Sequence, residues 1–430
     1  MTGEIQRPTV PAPFDLPAAI LRSGALSAGE VEDIRAEVDG GRYPRDPRPL
    51  ATRLVRDGVL TEYQARCLFH RKPQGLAIGR YVILDQLGKG AMGKVFKARH
   101  DLMGRVVALK VVLPRVASRT NAAVRFEREM RLVARLDHPH VVRAFDADRV
   151  GKVSYIVMEY VPGQDLARRL QERGPLPHAE VVRHAAQAAA GLAHAHGRGV
   201  IHRDVKPSNL LLGEDGVVRL LDFGLGILAE SDADDPGSFA SVDGAVIGTV
   251  DFLSPEQAAG RPADGRSDLF GLGCTMYHLM TGELPFPGDS LVERMARRIL
   301  GPPEPIRAHL PEVPAGVVEV MGRLMATRPE DRYQDAAEAV AALRAIVHLG
   351  DVAASGRRAA KRQEESSAAP DVVVAAAPEV KDDPRPTVVT SRMASPPSSF
   401  GGRTTSRVAL CLGCLAVTFV AGFALSLITR

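Results

Sequence analysis

Hydrophobic and polar positions divide the chain into four stretches. The first, residues 1–78, reads as helical and contains an internal echo. Leu21-Arg22-Ser23-Gly24-Ala25-Leu26-Ser27 resembles Val55-Arg56-Asp57-Gly58-Val59-Leu60-Thr61. In each copy a helix is expected to end at glycine, the residue that best tolerates a left-handed cap. A new helix is expected to start at Ser27 or Thr61. Glu30 and Gln64 stand three residues later, where a capping box needs them. Two helical hairpins packed on each other would bury the leucines. Such a bundle suits structural support or the docking of a partner or substrate, and the pattern leaves both open.

The second stretch, residues 81–347, opens with β-type alternation and becomes helix-rich after about Pro162. Tyr81-Val82-Ile83-Leu84 and Val95-Phe96-Lys97-Ala98-Arg99 read as strands. Arg125 to Leu136 reads as an amphipathic helix with Met130, Val133 and Leu136 facing inward. The third stretch, residues 349–406, is rich in Ala, Pro, Ser and charge, without a sustained apolar period. It cannot bury enough apolar surface to offset its ordering entropy, so a disordered linker is expected. The fourth, residues 408–428, holds twenty-one residues without a charge. At about 1.5 Å per residue that length matches the roughly 30 Å hydrocarbon core of a bilayer, so a transmembrane helix is expected.

Composition narrows the partners. The 55 basic and 51 acidic residues leave a formal charge of +4, without the concentrated basic face that nucleic-acid binding favours. The four cysteines make no disulfide framework; Cys67 and Cys274 read as isolated thiols. Cys411 and Cys414 lie inside the apolar stretch, where small-residue packing is a better reading than metal binding. Met1 to Pro13 lacks the basic start and apolar core of a signal peptide. Arg403 and Arg407 precede the apolar stretch, which favours a cytoplasmic N-terminal side. Only Thr429 and Arg430 follow it, so no external ligand-binding domain is expected. Gly413, Ala416, Gly422 and Ala424 leave a homodimer through helix pairing open, although they form no clean stripe.

Candidate chemistry concentrates in the second stretch. Gly88-Lys89-Gly90-Ala91-Met92-Gly93-Lys94-Val95 fits G-x-G-x-x-G-x-V, flanked by strands on both sides. A hairpin without Cβ atoms at its glycines can lie close over phosphates. Val107-Ala108-Leu109-Lys110 supplies a strand lysine that can hold phosphates if a carboxylate directs it. Glu129 is the preferred partner and Glu127 the alternative. In His202-Arg203-Asp204-Val205-Lys206-Pro207-Ser208-Asn209, Asp204 can accept a hydrogen bond from an incoming hydroxyl. Lys206 adds positive charge at the transferring group, and Asn209 offers a neutral oxygen to Mg²⁺. Asp222-Phe223-Gly224 follows, its carboxylate suited to the same hard cation.

These elements, in this order, resemble the eukaryotic-like (Hanks-type) serine/threonine protein kinases of bacteria over residues 81 to about 345. Gly248-Thr249 and Ser254-Pro255-Glu256 resemble the end of the family's activation segment, with Ser where Ala is usual. Asp268 resembles the helix aspartate that braces the catalytic loop, and Arg332 the arginine that pairs with Glu256. Met158-Glu159-Tyr160-Val161 resembles the adenine-binding hinge, with Met158 as gatekeeper. The resemblance implies an α+β fold, a β-rich lobe over a helical lobe, with ATP in the cleft. It assigns nucleotide contacts to Leu87 and the Gly88–Val95 loop, to Lys110, and to Glu159, Val161 and Asp165. It implies Mg²⁺-dependent phosphoryl transfer from ATP to protein Ser or Thr hydroxyls. It also implies autophosphorylation between Ser238 and Thr249, with Ser241 and Thr249 favoured over Ser231. A catalytically dead scaffold would lack Lys110, Asp204 or Asp222. A small-molecule phosphotransferase would lack the activation segment and the Glu256/Arg332 pair.

Overall fold

The computed structural model describes residues 14–70, 75–90, 93–112, 132–151, 153–223 and 250–348. The chain divides into two units, Met1–Ala368 and Ala369–Arg430, and the described residues all belong to the first. Residues 349–406 and 408–428 therefore lie outside them, as do Glu127 and Glu129. No helix among the described residues is long and apolar enough to cross a membrane.

Four short helices open the chain: α1 (Leu16–Ser23), α2 (Ala28–Asp39), α3 (Pro47–Arg56) and α4 (Glu62–Leu68). Their ends follow local rules. After α1 and after α3, Gly24 and Gly58 adopt φ of +73°, a left-handed turn that a β-carbon would strain. Both expected capping boxes form. Ser27 and Glu30 cap α2, and Thr61 and Gln64 cap α4. Each box pairs two backbone N–H groups that the helix start would otherwise leave without acceptors.

A six-stranded antiparallel sheet follows, built from β1 (Ala77–Ile78), β2 (Tyr81–Gly90), β3 (Gly93–His100), β4 (Val106–Val112), β5 (Ala144–Val150) and β6 (Val153–Glu159). Its order is β1-β2-β3-β4-β6-β5. Strand side chains alternate between faces. In β4 this sends Val107 and Leu109 toward the N-terminal helices, while Ala108 and Lys110 take the other face. Val107, Leu109, Ile83, Phe96, Tyr155 and Val157 join Leu16, Ile20, Leu50, Leu54 and Leu68 in one apolar cluster. The helices and the sheet thus share a core.

A small sheet, β7 (Gly163–Asp165), β8 (Leu210–Gly213) and β9 (Val218–Leu220), introduces the helical lobe. Its helices are α5 (Leu166–Arg173), α6 (His178–His196), α7 (Pro255–Ala258), α8 (Gly265–Thr281), α9 (Leu291–Leu300) and α10 (Ala315–Leu324), with a further helix over 336–348. α8 is buried almost throughout, and it packs on α6 and α10 in a second apolar cluster. The change from strand to helix near Pro162 falls where the sequence pattern puts it. Of the expected helix at 125–136, the described end places Val133 and Leu136 in this core.

Candidate active site

The site is assembled around a buried carboxylate. Asp268, on α8, is 1% exposed and accepts three hydrogen bonds. They come from the His202 amide at 2.8 Å, the Arg203 amide at 2.6 Å and His196 Nε2 at 2.7 Å. A buried carboxylate is tolerated when donors surround it in this way. The turn it grips is unusual, with Arg203 at φ of +65°, and Asp222 on the neighbouring turn stands at φ of +62°. Left-handed backbone at non-glycine residues is costly and persists only where neighbours over-determine it. Asp268 supplies part of that constraint. Gln257 on α7 supplies more, its amide donating to the Arg203 carbonyl at 3.0 Å.

His202 is fully buried and links the two turns. Its Nε2 donates to the Leu221 carbonyl at 2.7 Å, and its ring packs on Phe223 at 4.7 Å between centroids. Because a carbonyl only accepts, Nε2 carries the proton. Nδ1 is then the acceptor for the Asp204 amide at 3.3 Å, so one neutral tautomer satisfies both bonds. The Leu221 amide in turn donates to the Asn209 carbonyl at 2.9 Å, which holds the Asn209 and Asp222 turns side by side.

The candidate catalytic side chains converge on this frame. Lys206 Nζ lies 2.8 Å from an Asp204 carboxylate oxygen. Asn209 donates its amide to the same carboxylate at 3.0 Å and to the Asp204 carbonyl at 2.8 Å. Lys110, 5% exposed, pairs with Asp222 at 2.7 Å. A carboxylate partner for Lys110 was expected from Glu129. Among the described residues that partner is Asp222, and Glu129 lies outside them.

The glycine-rich segment is an antiparallel hairpin. Gly88 pairs with Val95, Lys89 with Lys94 and Gly90 with Gly93; Ala91 and Met92 at its tip lie outside the described residues. A Cβ at Gly93 would stand 1.8 Å from the Val111 carbonyl oxygen, so no side chain fits there. Leu87, on β2 beside Gly88, is exposed. Glu159 ends β6, and the half-buried Val161 follows it. Met158 lines a small apolar pocket together with Val133, Ile156, Asp222 and Phe223. Asp165 caps α5 by accepting from the Arg168 amide at 2.9 Å, a structural task that the sequence did not suggest.

Below the site, Glu256 and Arg332 form a buried two-pronged ion pair at 2.7 and 2.8 Å. Burial alone would raise the Glu256 carboxyl. The Arg332 guanidinium and the Ser267 hydroxyl outweigh burial and hold it below the ordinary range. Sequence reasoning misses Arg298, which is buried and donates to the carbonyls of Val250 at 2.7 Å and Asp251 at 2.8 Å. It also misses Arg294, paired with Asp251 at 2.7 Å, as well as His196 and Gln257. Only Gln257 left a signal, the S-x-x-Q spacing from Ser254.

Comparison with known proteins then decides the family. The profile described as protein kinase domain matches residues 81–343. The chain belongs to the protein kinase domain family. It is similar to a probable serine/threonine-protein kinase of Corynebacterium efficiens, 35% identical over 326 residues, covering 74% of this chain and 46% of that one. It is also similar to the serine/threonine-protein kinase pkn3 of Myxococcus xanthus, 37% identical, covering 62% of this chain and 50% of the relative. A third is PknB of Mycobacterium leprae, 38% identical, covering 60% and 42%. The chain thus spans half or less of the length of these relatives. Among solved structures, the PknI kinase domain of Mycobacterium tuberculosis aligns with a TM-score of 0.50 at 31% identity. The alignment covers 62% of this chain and 96% of that one.

Proposed function

We propose that this kinase domain transfers the γ-phosphoryl group of ATP to serine or threonine hydroxyls of proteins. The observation that carries the reading is the set of contacts around Asp204. Its carboxylate is held by Lys206 and Asn209 on a turn braced by Asp268, in the chain's kinase-family segment. Asp204 accepts the hydrogen bond of the attacking hydroxyl and orients it. Lys206 offsets charge on the transferring group. Lys110 holds the nucleotide phosphates, and Asp222 keeps Lys110 in place.

The hairpin supports the nucleotide reading. A Cβ at Gly88 or Gly90 would meet nothing within 4 Å among the described residues, so packing among those residues explains neither glycine. Phosphates beneath the hairpin supply the missing reason. Glu159 and Val161 would present backbone groups to adenine, and Asp165 would reach the ribose. The donor set also suits Mg²⁺. Among the described residues no cluster of three or more His, Cys, Asp or Glu forms a metal site by itself. Mg²⁺ commonly takes one or two protein oxygens and completes its shell with phosphates and water. Asn209 Oδ1 and Asp222 would be those protein oxygens, and the bound ion would neutralise charge developing on the phosphates.

The acceptor class comes from the similarity to serine/threonine kinases and from Lys206. We extend the reading to autophosphorylation between Ser238 and Thr249. Residues 408–428 would anchor the domain on the cytoplasmic face of a membrane and leave pairing of two copies open. The test is incubation with γ-labelled ATP and Mg²⁺. Label on seryl or threonyl groups, lost in Asp204→Asn and on chelation, supports the proposal. Equal label in Asp204→Asn contradicts it.

A further inference from the structure

The two copies of the N-terminal echo build the same capping box from different residues, and in the second the box's side chains also hydrogen-bond the sheet. In the first, Ser27 and Glu30 are exposed. The Glu30 carboxylate accepts from the Ser27 amide at 2.8 Å and its hydroxyl at 2.7 Å. In the second, Gln64 is 3% exposed. Its Oε1 accepts from the Thr61 amide at 2.9 Å, and its Nε2 is left to donate to the Ile83 carbonyl at 2.8 Å. The Thr61 hydroxyl accepts from the Gln64 amide at 3.1 Å and donates to the Leu84 carbonyl at 2.6 Å. A glutamate at 64 would cap the helix equally well, but its carboxylate has no hydrogen to give Ile83.

Those two carbonyls sit at a defect in the glycine-rich strand. The pairing of β2 with β3 slips between Ile83 and Asp85 and again between Gln86 and Gly88, so Leu84 has no partner on β3. A bulge re-aims the strand beyond it and leaves backbone groups needing other partners. Thr61 takes the carbonyl of the bulged residue, and Gln64 takes the carbonyl before it. The strand runs on directly to Gly88 and Gly90. The catalytic turn repeats the device. Gln257 closes the capping box of Ser254, and its spare amide hydrogen goes to the carbonyl of Arg203.

We propose that Thr61 and Gln64 are positioning residues for the nucleotide: they hold the bulged strand, and so the N-terminal helices set how closely the glycine-rich hairpin covers the phosphates. The proposal rests on the hairpin being the ATP cover. It deepens that reading by giving the helical region a definite task.

The test uses the full chain and a fluorescent ATP analogue at pH 8, with kcat and KM for ATP measured alongside. Gln64→Glu keeps the cap but loses the bond to Ile83. Thr61→Asp keeps an acceptor for the Gln64 amide but loses the bond to Leu84. Each variant is expected to weaken nucleotide binding and raise KM by about threefold to tenfold, the span of one lost hydrogen bond, with kcat within about twofold. The Gln64→Glu defect should shrink as pH falls and the carboxyl gains a proton it can donate. Thr61→Ser keeps both bonds and should bind like the wild type. Glu30→Ala disturbs the exposed capping box and should leave nucleotide binding unchanged. Unchanged binding in Thr61→Asp would overturn the proposal. So would a Glu30→Ala defect equal to that of Gln64→Glu, which would mean that general loosening of the bundle is enough. If the wild type fails to bind the analogue, the ATP reading itself falls, and the positioning role falls with it. Should Gln64→Glu not fold, Thr61→Asp against Thr61→Ser decides alone.

Discussion

Replacing Arg332 with alanine should be the most damaging single change away from the site. The guanidinium makes two bonds to Glu256 and three to the carbonyls of Ala326, Arg266 and Thr327. It also lies over the Phe270 ring at 4.9 Å. Arg332→Ala leaves Glu256, 7% exposed, facing the Ser267 hydroxyl and its own backbone amide but no cation in hydrogen-bond contact among the described residues. Breaking one partner of a buried pair costs about 3–5 kcal/mol. At roughly 2–4 °C per kcal/mol for a domain of this size, melting should fall by about 6–20 °C. The pH dependence has a definite sign. In the wild type the Glu256 carboxyl is depressed, so its contribution is present above the unfolded carboxylate range and is lost as pH falls through its folded value. In the variant, burial is no longer outweighed. The unfolded chain then ionises more readily than the folded one, and stability falls as pH rises. The difference in melting temperature should therefore widen from pH 4.5 to pH 7. Scanning calorimetry across that range is the assay. A loss under about 2 °C, or a gap that does not change with pH, would refute the reasoning.

Other expectations concern the site and its supports. Asp268→Asn keeps one acceptor oxygen and turns its amide hydrogens against either the Arg203 amide or the His202 amide with His196, so steady-state kinetics should show kcat falling by about tenfold to a hundredfold with KM for ATP little changed. Lys110→Met removes the partner of Asp222 and should lower kcat/KM by roughly a hundredfold or more, read with a peptide acceptor. Arg298→Met releases the carbonyls of Val250 and Asp251. It should raise KM for a peptide acceptor while leaving KM for ATP unchanged in the same assay. Cys274 is fully enclosed, and burial pushes its thiol up to about 12. Mass spectrometry after alkylation at pH 8 should find Cys67 modified and Cys274 protected until the protein is unfolded.

Local signals were the legible part of the sequence. The glycine at each helix end, the capping boxes at Ser27 and Thr61, and the strands around the glycine-rich loop depend on residues within a few positions of one another. The order of Lys110, Asp204, Asn209 and Asp222 was legible for a different reason: phosphoryl transfer needs those groups together whatever the intervening chain does. What the sequence hid was long-range. Nothing at Gln64 announces that its spare hydrogen reaches a strand nineteen residues away. His196 looks like any residue at a helix end, yet it completes the donor shell of Asp268. Arg298 reads as one more surface arginine on an amphipathic helix, but the fold turns it inward onto two carbonyls. The helical echo suggested a bundle with its own core. That it shares its core with the sheet is visible only once Leu109 and Val157 are seen facing the same helices.

The most direct test of the central claim is phosphosite mapping by mass spectrometry on a protein acceptor incubated with this chain, ATP and Mg²⁺, with Asp204→Asn in parallel. The account predicts phosphate on serine and threonine with the wild type and none above background with Asp204→Asn. Phosphate confined to tyrosine, or the same serine and threonine sites with both proteins, would contradict it.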